Sequence, residues 1–345
     1  MDIKKILFIG LGGAGQRHLR ILKKLLPDSV VFSAYRHTSK TPFLRSDFTV
    51  DETKNLVDEY GLKVFNDLEG AFNSKPSITV ISTPTAYHKE FLMLAVKANS
   101  GIIIEKPWAE NLNGFKDFKS EVIKRKLPFL ISFQRRYNPL ITLTKRIIEN
   151  KEIGTPMTAS FTIFSDVESW HSYENWRELY AVKKELGGGV LLTEIHEIDL
   201  IYWFFGLPQT IYCVGGNRGS VKLDVEDTAQ LILEYDNLSV SVSMCFVNKN
   251  KARNFNIIGD NGSIEWNETE NNLKVYNNNR KTDIYLEKDL TNDKLFFDQA
   301  YKFINNWTLE DSKNSLESAG NSLAIVIAAK KSLLSGQVEI IKDSF

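Results

Sequence analysis

The hexapeptide Gly10-Leu11-Gly12-Gly13-Ala14-Gly15 is the first place in the chain where residue type and spacing point to chemistry. It follows the apolar run 6–9 and opens a stretch of helical period, the setting in which G-x-G-x-x-G binds a dinucleotide. Gly10 allows a tight turn, Gly12 lets a pyrophosphate approach the backbone, and Gly15 lets the helix pack on the sheet. The helix start at Gly13 and Ala14 adds free N–H groups and the positive end of a dipole. About 20 residues on, where an acidic side chain takes the ribose 2′-hydroxyl of NAD, the chain reads Ala34-Tyr35-Arg36-His37-Thr38. No Asp or Glu stands there. Arg36, beside Tyr35 and with Thr38, Ser39 and Lys40 nearby, can pair with a 2′-phosphate through its planar fork and stack on adenine. NADP is therefore expected, with NAD as the alternative.

The elements that must hold this loop are legible as alternation. The short apolar runs 6–9, 30–35, 78–82, 102–104 and 129–132 suit strands buried on both faces, and helical periods at 13–26, 53–60, 86–98 and 112–126 separate them. A doubly wound parallel α/β domain over residues 1–135 follows. After a helix at 139–150 the pattern changes to period-two strands at 230–235, 239–246, 254–258 and 273–276, with Asn/Asp/Gly turns between them. This predicts a large, mainly antiparallel sheet in an α+β domain over 136–345, covered by helices at 189–205 and 315–334, the last packing back near the domain junction. Its exposed face predicts a homodimer or homotetramer.

Composition narrows the function classes. A chain of 345 residues exceeds one compact core, and Lys+Arg 43 against Asp+Glu 43 gives a formal net charge of +0, so no general field favours nucleic acid. No apolar run reaches membrane-span length, and the N-terminal run is too short for a signal segment, so no membrane partner and a cytoplasmic location are expected. Cys213 and Cys245 read as buried thiols in a reducing compartment. His196-Glu197 lacks a second histidine one turn on, so no metal is expected.

Taken together, Gly10 through His18, Ser82-Thr83-Pro84 with His88, Glu105-Lys106-Pro107, and Gly187-Gly188-Gly189 with His196 and Asp199 resemble the Gfo/Idh/MocA oxidoreductases over nearly the whole chain. The resemblance implies NAD(P)-dependent hydride transfer at a secondary alcohol or ketone carbon of a sugar or sugar derivative. It makes Lys106 and His196 the catalytic, proton-handling groups and Glu105 an orienting partner. Thr83, Pro84 and His88 are expected to line the nicotinamide half. Many family members carry an Asp four residues before the histidine on one helix face; here that residue is Leu192. Thr193 or Glu194 could compensate.

Arg136, at the crossing between domains, resembles a family position at the substrate rim and suits a carboxylate or phosphate. Trp170, His171 and Tyr173 bring aromatic faces and polar edges that suit a carbohydrate. This stretch resembles, more loosely, a subgroup of bacterial surface-glycan and nucleotide-sugar pathways. Two alternatives share the fold: a cofactor-sensing, non-catalytic regulator, and a redox-assisted NAD-dependent glycosidase.

Overall fold

The computed structural model describes residues 2–36, 41–277, 282–287 and 290–341. The first domain is a parallel sheet of β1 (Lys5–Ile9), β2 (Val31–Tyr35), β3 (Lys63–Phe65), β4 (Ile78–Ile81), β5 (Gly101–Ile104) and β6 (Phe129–Ile131), in the order β3-β2-β1-β4-β5-β6. β4 and β5 are buried at every residue, as runs such as Gly-Ile-Ile-Ile require. Order reverses between β1 and β4, and ligands of open α/β sheets bind at the strand ends beside such a switch. The register aligns Ile9 with both Tyr35 and Ile81, and Ile81 with Ile104. Gly10, Arg36, Ser82 and Glu105 therefore follow their strands at one common edge.

Helices α1 (Gly13–Leu25), α2 (Leu56–Tyr60), α3 (Leu68–Asn73), α4 (His88–Lys97) and α5 (Phe115–Lys124) connect these strands. α1 starts at Gly12 without a side-chain cap and buries Leu19, Ile21 and Leu22. Gln16, wholly buried, donates to the Leu11 and Pro42 carbonyls and accepts from the Leu44 N–H, fixing the loop after β2 against α1.

After α6 (Pro139–Glu149), the second domain is a nine-stranded sheet. In chain order its strands are β7 (Pro156–Asp166), β8 (Thr210–Gly216), β9 (Thr228–Glu234), β10 (Ser239–Cys245), β11 (Val247–Gly259), β12 (Gly262–Asn267), β13 (Asn272–Asn277), β14 (Thr282–Leu286) and β15 (Glu339–Ile340). Every pairing is antiparallel except β7 with β10. Alternation puts Ala229, Leu231, Val240 and Val242 inward, while Tyr212, Val214, Ile232, Ser241 and Ser243 lie on the opposite face. Cys213 is buried and Cys245 partly so, both as free thiols.

The predicted helix 189–205 is two pieces, α7 (Val190–Thr193) and α8 (His196–Phe205), because Glu194 leaves helical geometry at φ −98°, ψ 33°. Two further helices precede β15, α9 (Asn292–Asn306) and α10 (Leu309–Ser335). α9, unforeseen in the sequence, packs Phe296, Phe303 and Ile304 into the core of the first domain with Ile6, Phe8 and Leu19. The Ser312 and Ser315 hydroxyls of α10 accept the N–H groups of Phe129 and Ile131, which covers the edge of β6. Ser332, further along, accepts from Cys213 on β8, so α10 spans both domains. The chain after 291 thus first packs on the first sheet through α9 and the start of α10, and then rejoins the second sheet through the end of α10 and β15. Among the described residues no helix is long and apolar enough to cross a membrane.

Candidate functional site

The glycines of the first loop occupy three distinct environments. A Cβ on Gly15 would stand 2.3 Å from the Gly10 carbonyl oxygen, and one on Gly10, whose φ is +90°, would stand 2.6 Å from that of Ser82. Both positions admit only glycine. A Cβ on Gly12 would meet nothing within 4 Å, which is the open approach that a pyrophosphate needs. Beside the loop, Gly10, Leu11, Tyr35, Arg36, Thr83 and Pro84 line a groove of about 510 Å³. Two atoms mark it: Arg36 Nη2 and Thr83 Oγ1 are buried with no hydrogen-bond partner among the described residues, and burial lowers the Arg36 pKa. A cradle open at Gly12, the helix start beside it and a guanidinium nitrogen with no partner among the described residues fit a phosphorylated dinucleotide. Thr38, Ser39 and Lys40 lie outside the described residues.

His88 departs from the expectation that it lines this groove. Its side chain is buried, with ring nitrogens 2.9 Å from the Thr83 carbonyl oxygen and 2.8 Å from that of Pro107. It braces the turn after β4 against the one after β5 and has no surface to offer a ligand.

A second cleft, of about 560 Å³, runs from Ala14 and Arg17 past Glu105, Lys106 and His196 to Lys251 and Glu268. Lys106 Nζ donates to the Thr193 carbonyl oxygen at 2.5 Å. The break after α7 is what leaves this carbonyl available. Glu105 pairs not with Lys106 but with His18 of α1, Nε2 to Oε1 at 2.8 Å. Burial opposes its ionisation, yet this hydrogen bond and the charges of His18, Lys106 and Arg17 hold its pKa below the usual carboxylate value. His196 is buried, and its Nδ1 has no partner among the described residues. Burial, then the positive charges of Lys106 and Arg135, push its pKa well below 6.5, so the imidazole is neutral near pH 7.

Leu192 sits in the apolar core, so no carboxylate stands where the family Asp would. Glu194, released from the helix, lines the cleft instead. Its carboxylate accepts from Ser165 Oγ at 2.9 Å and from Arg253 Nη2 at 2.8 Å. Thr193 also lines the cleft, its buried hydroxyl without a partner among the described residues.

Arg136 is a correction. Its guanidinium forks onto Asp199 at 2.8 and 2.7 Å and lies over Trp203, in a separate cavity of about 520 Å³ behind β6. Buried Asp199 takes two of its five N–H donors and holds the guanidinium in that cavity, away from the Lys106 cleft. Its neighbour Arg135 does, donating to Glu268 Oε1 at 2.5 Å. Sequence reasoning missed Arg135, Arg253 and Glu268. The adjacent Arg135-Arg136 pair held a signal, since neighbours in a turn face different ways, whereas Arg253 and Glu268 sit in no local motif. Trp170 and His171 line the cleft, Trp170 with its ring edge-on to Phe246. Tyr173 instead reaches the first loop, its hydroxyl accepting the Gly13 N–H at 3.2 Å. No group of three or more His, Cys, Asp or Glu that could hold a metal occurs among the described residues.

Comparison with known proteins agrees with this layout. Residues 4–133 match the family model described as an oxidoreductase family with an NAD-binding Rossmann fold, and 141–265 match the GFO/IDH/MocA C-terminal domain. The uncharacterized oxidoreductase YrbE of Bacillus subtilis is 25% identical over 60% of this chain and 61% of its own length. Glucose-6-phosphate 3-dehydrogenase of the same organism is 21% identical over 74% of this chain and 72% of its own. The chain thus spans about three fifths of the length of the first of these relatives. A levoglucosan dehydrogenase solved in complex with NADH superposes over 99% of both chains, with a TM-score of 0.81 at 17% identity.

Proposed function

The chain belongs to the Gfo/Idh/MocA oxidoreductase family, and on that premise we propose that it transfers a hydride between a nicotinamide cofactor and a secondary alcohol or ketone carbon of a sugar or sugar derivative. The observation that carries this reading is one cleft holding both a tethered ammonium, Lys106, and a buried neutral imidazole, His196, and running on to the phosphate loop at Ala14.

Gly10, Gly12, Gly13, Ala14 and Gly15 would hold the pyrophosphate, Tyr35 and Arg36 the adenosine end, and Thr83, Pro84, Glu105 and Lys106 the nicotinamide end. When bound, the cofactor supplies or accepts the hydride. The Arg36 nitrogen, without a partner among the described residues, supports NADP over NAD.

In the oxidising direction, neutral His196 takes the hydroxyl proton. Thr193 uses one of the three N–H donors of Lys106. A second can point at the substrate oxygen, stabilising the negative charge that develops as the carbon–oxygen double bond forms. In reduction the same groups return the proton. Glu105, ionised and held by His18, keeps negative charge beside the ammonium without competing for the proton.

The far wall supports a carbohydrate. Ser165, Thr193, Glu194, Arg135, Arg253 and Glu268 mix donors and acceptors, and Trp170 and His171 add aromatic faces, the combination that reads hydroxyls on an apolar ring. The names of levoglucosan, inositol and glucose-6-phosphate dehydrogenases among the relatives support the same class. The exposed sheet face with Tyr212, Val214 and Ile232 supports a homodimer or homotetramer, which light scattering at micromolar concentration checks. Two free thiols suit a reducing compartment, and we place the enzyme in the cytoplasm.

The test is absorbance at 340 nm with NADP and NAD over a panel of free sugars, uronic acids, sugar phosphates and nucleotide sugars. Lys106→Ala is expected to lose about 10²–10⁴-fold in turnover while cofactor binding persists. An unchanged rate in Lys106→Ala would remove the lysine from the chemistry.

A further inference from the structure

Between β7 and α7 the chain forms a strap of short 3-10 turns, Val167–Ser169, Trp176–Glu178, Tyr180–Val182 and Lys184–Leu186. It carries Trp170 and His171 into the cleft, and it also crosses to the other domain. Tyr173, three residues past Trp170, takes the N–H of Gly13, the first residue of α1. A Cβ on Gly13 would stand 3.1 Å from that hydroxyl and 3.0 Å from the ring of Phe48, so the strap and the loop after β2 meet over the phosphate cradle. The contact is stiffened from behind. His171 stacks on Tyr173 at 4.9 Å and lies 6.2 Å from the Phe48 ring, and its Nδ1 is 2.6 Å from Glu174 Oε1.

An N–H at the start of α1 is what a pyrophosphate oxygen would use, and it cannot serve both partners. The competition has a definite winner. Burial, then Glu174, push the Tyr173 pKa upward, so the hydroxyl stays neutral, and a helix N-terminus favours an anionic oxygen over a neutral one.

We propose that Tyr173 is an internal placeholder for a pyrophosphate oxygen: seating the dinucleotide evicts it and moves the strap, so that Trp170 and His171 take up their substrate-binding positions only once the cofactor is in place. The inference rests on the dinucleotide reading above and adds a coupling between the two halves of the cleft. Tyr173 acts through the strap and is a positioning residue.

The experiment compares the full chain with Tyr173→Phe, which keeps the ring and removes the acceptor. NADPH binding is followed by fluorescence titration, and amide hydrogen exchange is followed across residues 167–180. Tyr173→Phe is expected to bind NADPH about threefold to tenfold more tightly, the value of one neutral hydrogen bond. Strap exchange is expected to rise when NADPH is added to the unaltered chain, and to be fast in Tyr173→Phe without it. Equal or weaker binding by Tyr173→Phe, or a strap that slows when NADPH binds, would overturn the placeholder and make Tyr173 a phosphate ligand or a bystander. Failure of both proteins to bind NADPH and NADH would overturn the dinucleotide reading itself.

Discussion

The two walls of the cleft are built by opposite means. The phosphate side is made of backbone: glycines at fixed positions, a helix start without a side-chain cap, and strand ends brought level by register. The sheet side is made of buried charges from separate segments: Arg135, Glu194 and Arg253 beside Glu197, with Glu268 at the rim. On that side Glu197 Oε1 lies 2.8 Å from Arg253 Nε, while Glu197 Oε2, Arg135 Nε and Thr193 Oγ1 have no hydrogen-bond partner among the described residues. Burial pushes Glu197 well above the usual carboxylate range, against the attraction of Arg135. A wall of backbone accepts one ligand geometry whatever surrounds it, while a wall of charges is retuned by changing any member. The molecule thus joins a fixed cofactor seat to an adjustable substrate surface.

The contrast can be broken at the glycines, where the largest effects are expected. Gly15→Ala drives a methyl into the Gly10 carbonyl and should lose dinucleotide binding along with about 1–3 kcal/mol of stability. Gly12→Ala enters open space, so its denaturation midpoint should stay near that of the unaltered chain while NADPH affinity falls by more than about tenfold. Equal destabilisation by the two would show that the loop is a packed turn rather than a cradle. Arg36→Ala is expected to weaken NADP binding by about 10–100-fold, in line with the loss of a charged hydrogen bond, and to leave NAD nearly unaffected. Parallel losses for both cofactors in isothermal titration would remove the 2′-phosphate role.

The smallest effect belongs to the charged wall and is read through pH. Because the folded state depresses the pKa of His196, the unfolded chain binds a proton there below about 6.5 and the folded chain does not until lower pH. Stability from this residue is therefore lost as pH falls through 6.5. Relative to His196→Gln, the unaltered chain should lose up to about 1.4 kcal/mol for each pH unit below that value. Urea denaturation at pH 7.5, 6.5 and 5.5 checks it. Parallel curves would mean that the imidazole is hydrated and ordinary.

The same contrast explains what was legible in sequence. The phosphate loop, the parallel strands and the period-two strands are local patterns, and their elements formed where the periodicity placed them. Arg136 and His88 misled because a motif position does not say which way a side chain turns, and buried partners had already claimed both. The break at Glu194 left no signature in a run that reads as one helix, yet it brings Glu194 into the cleft and the Thr193 carbonyl to Lys106. Arg253 and Glu268 were invisible because only the pairing of β11 with its neighbours carries them to the site. α9 was missed because its apolar face packs on the other domain, far from α1 in sequence.

The most direct test of the central claim is a crystal structure with NADP bound. The expected result is a nicotinamide ring inside the cleft, with the Lys106 ammonium and the His196 imidazole both facing the open space beside it, within about 3–3.5 Å of where a substrate oxygen would sit. A dinucleotide bound away from the Gly12 opening, or a ring from which Lys106 and His196 are both remote, would contradict it.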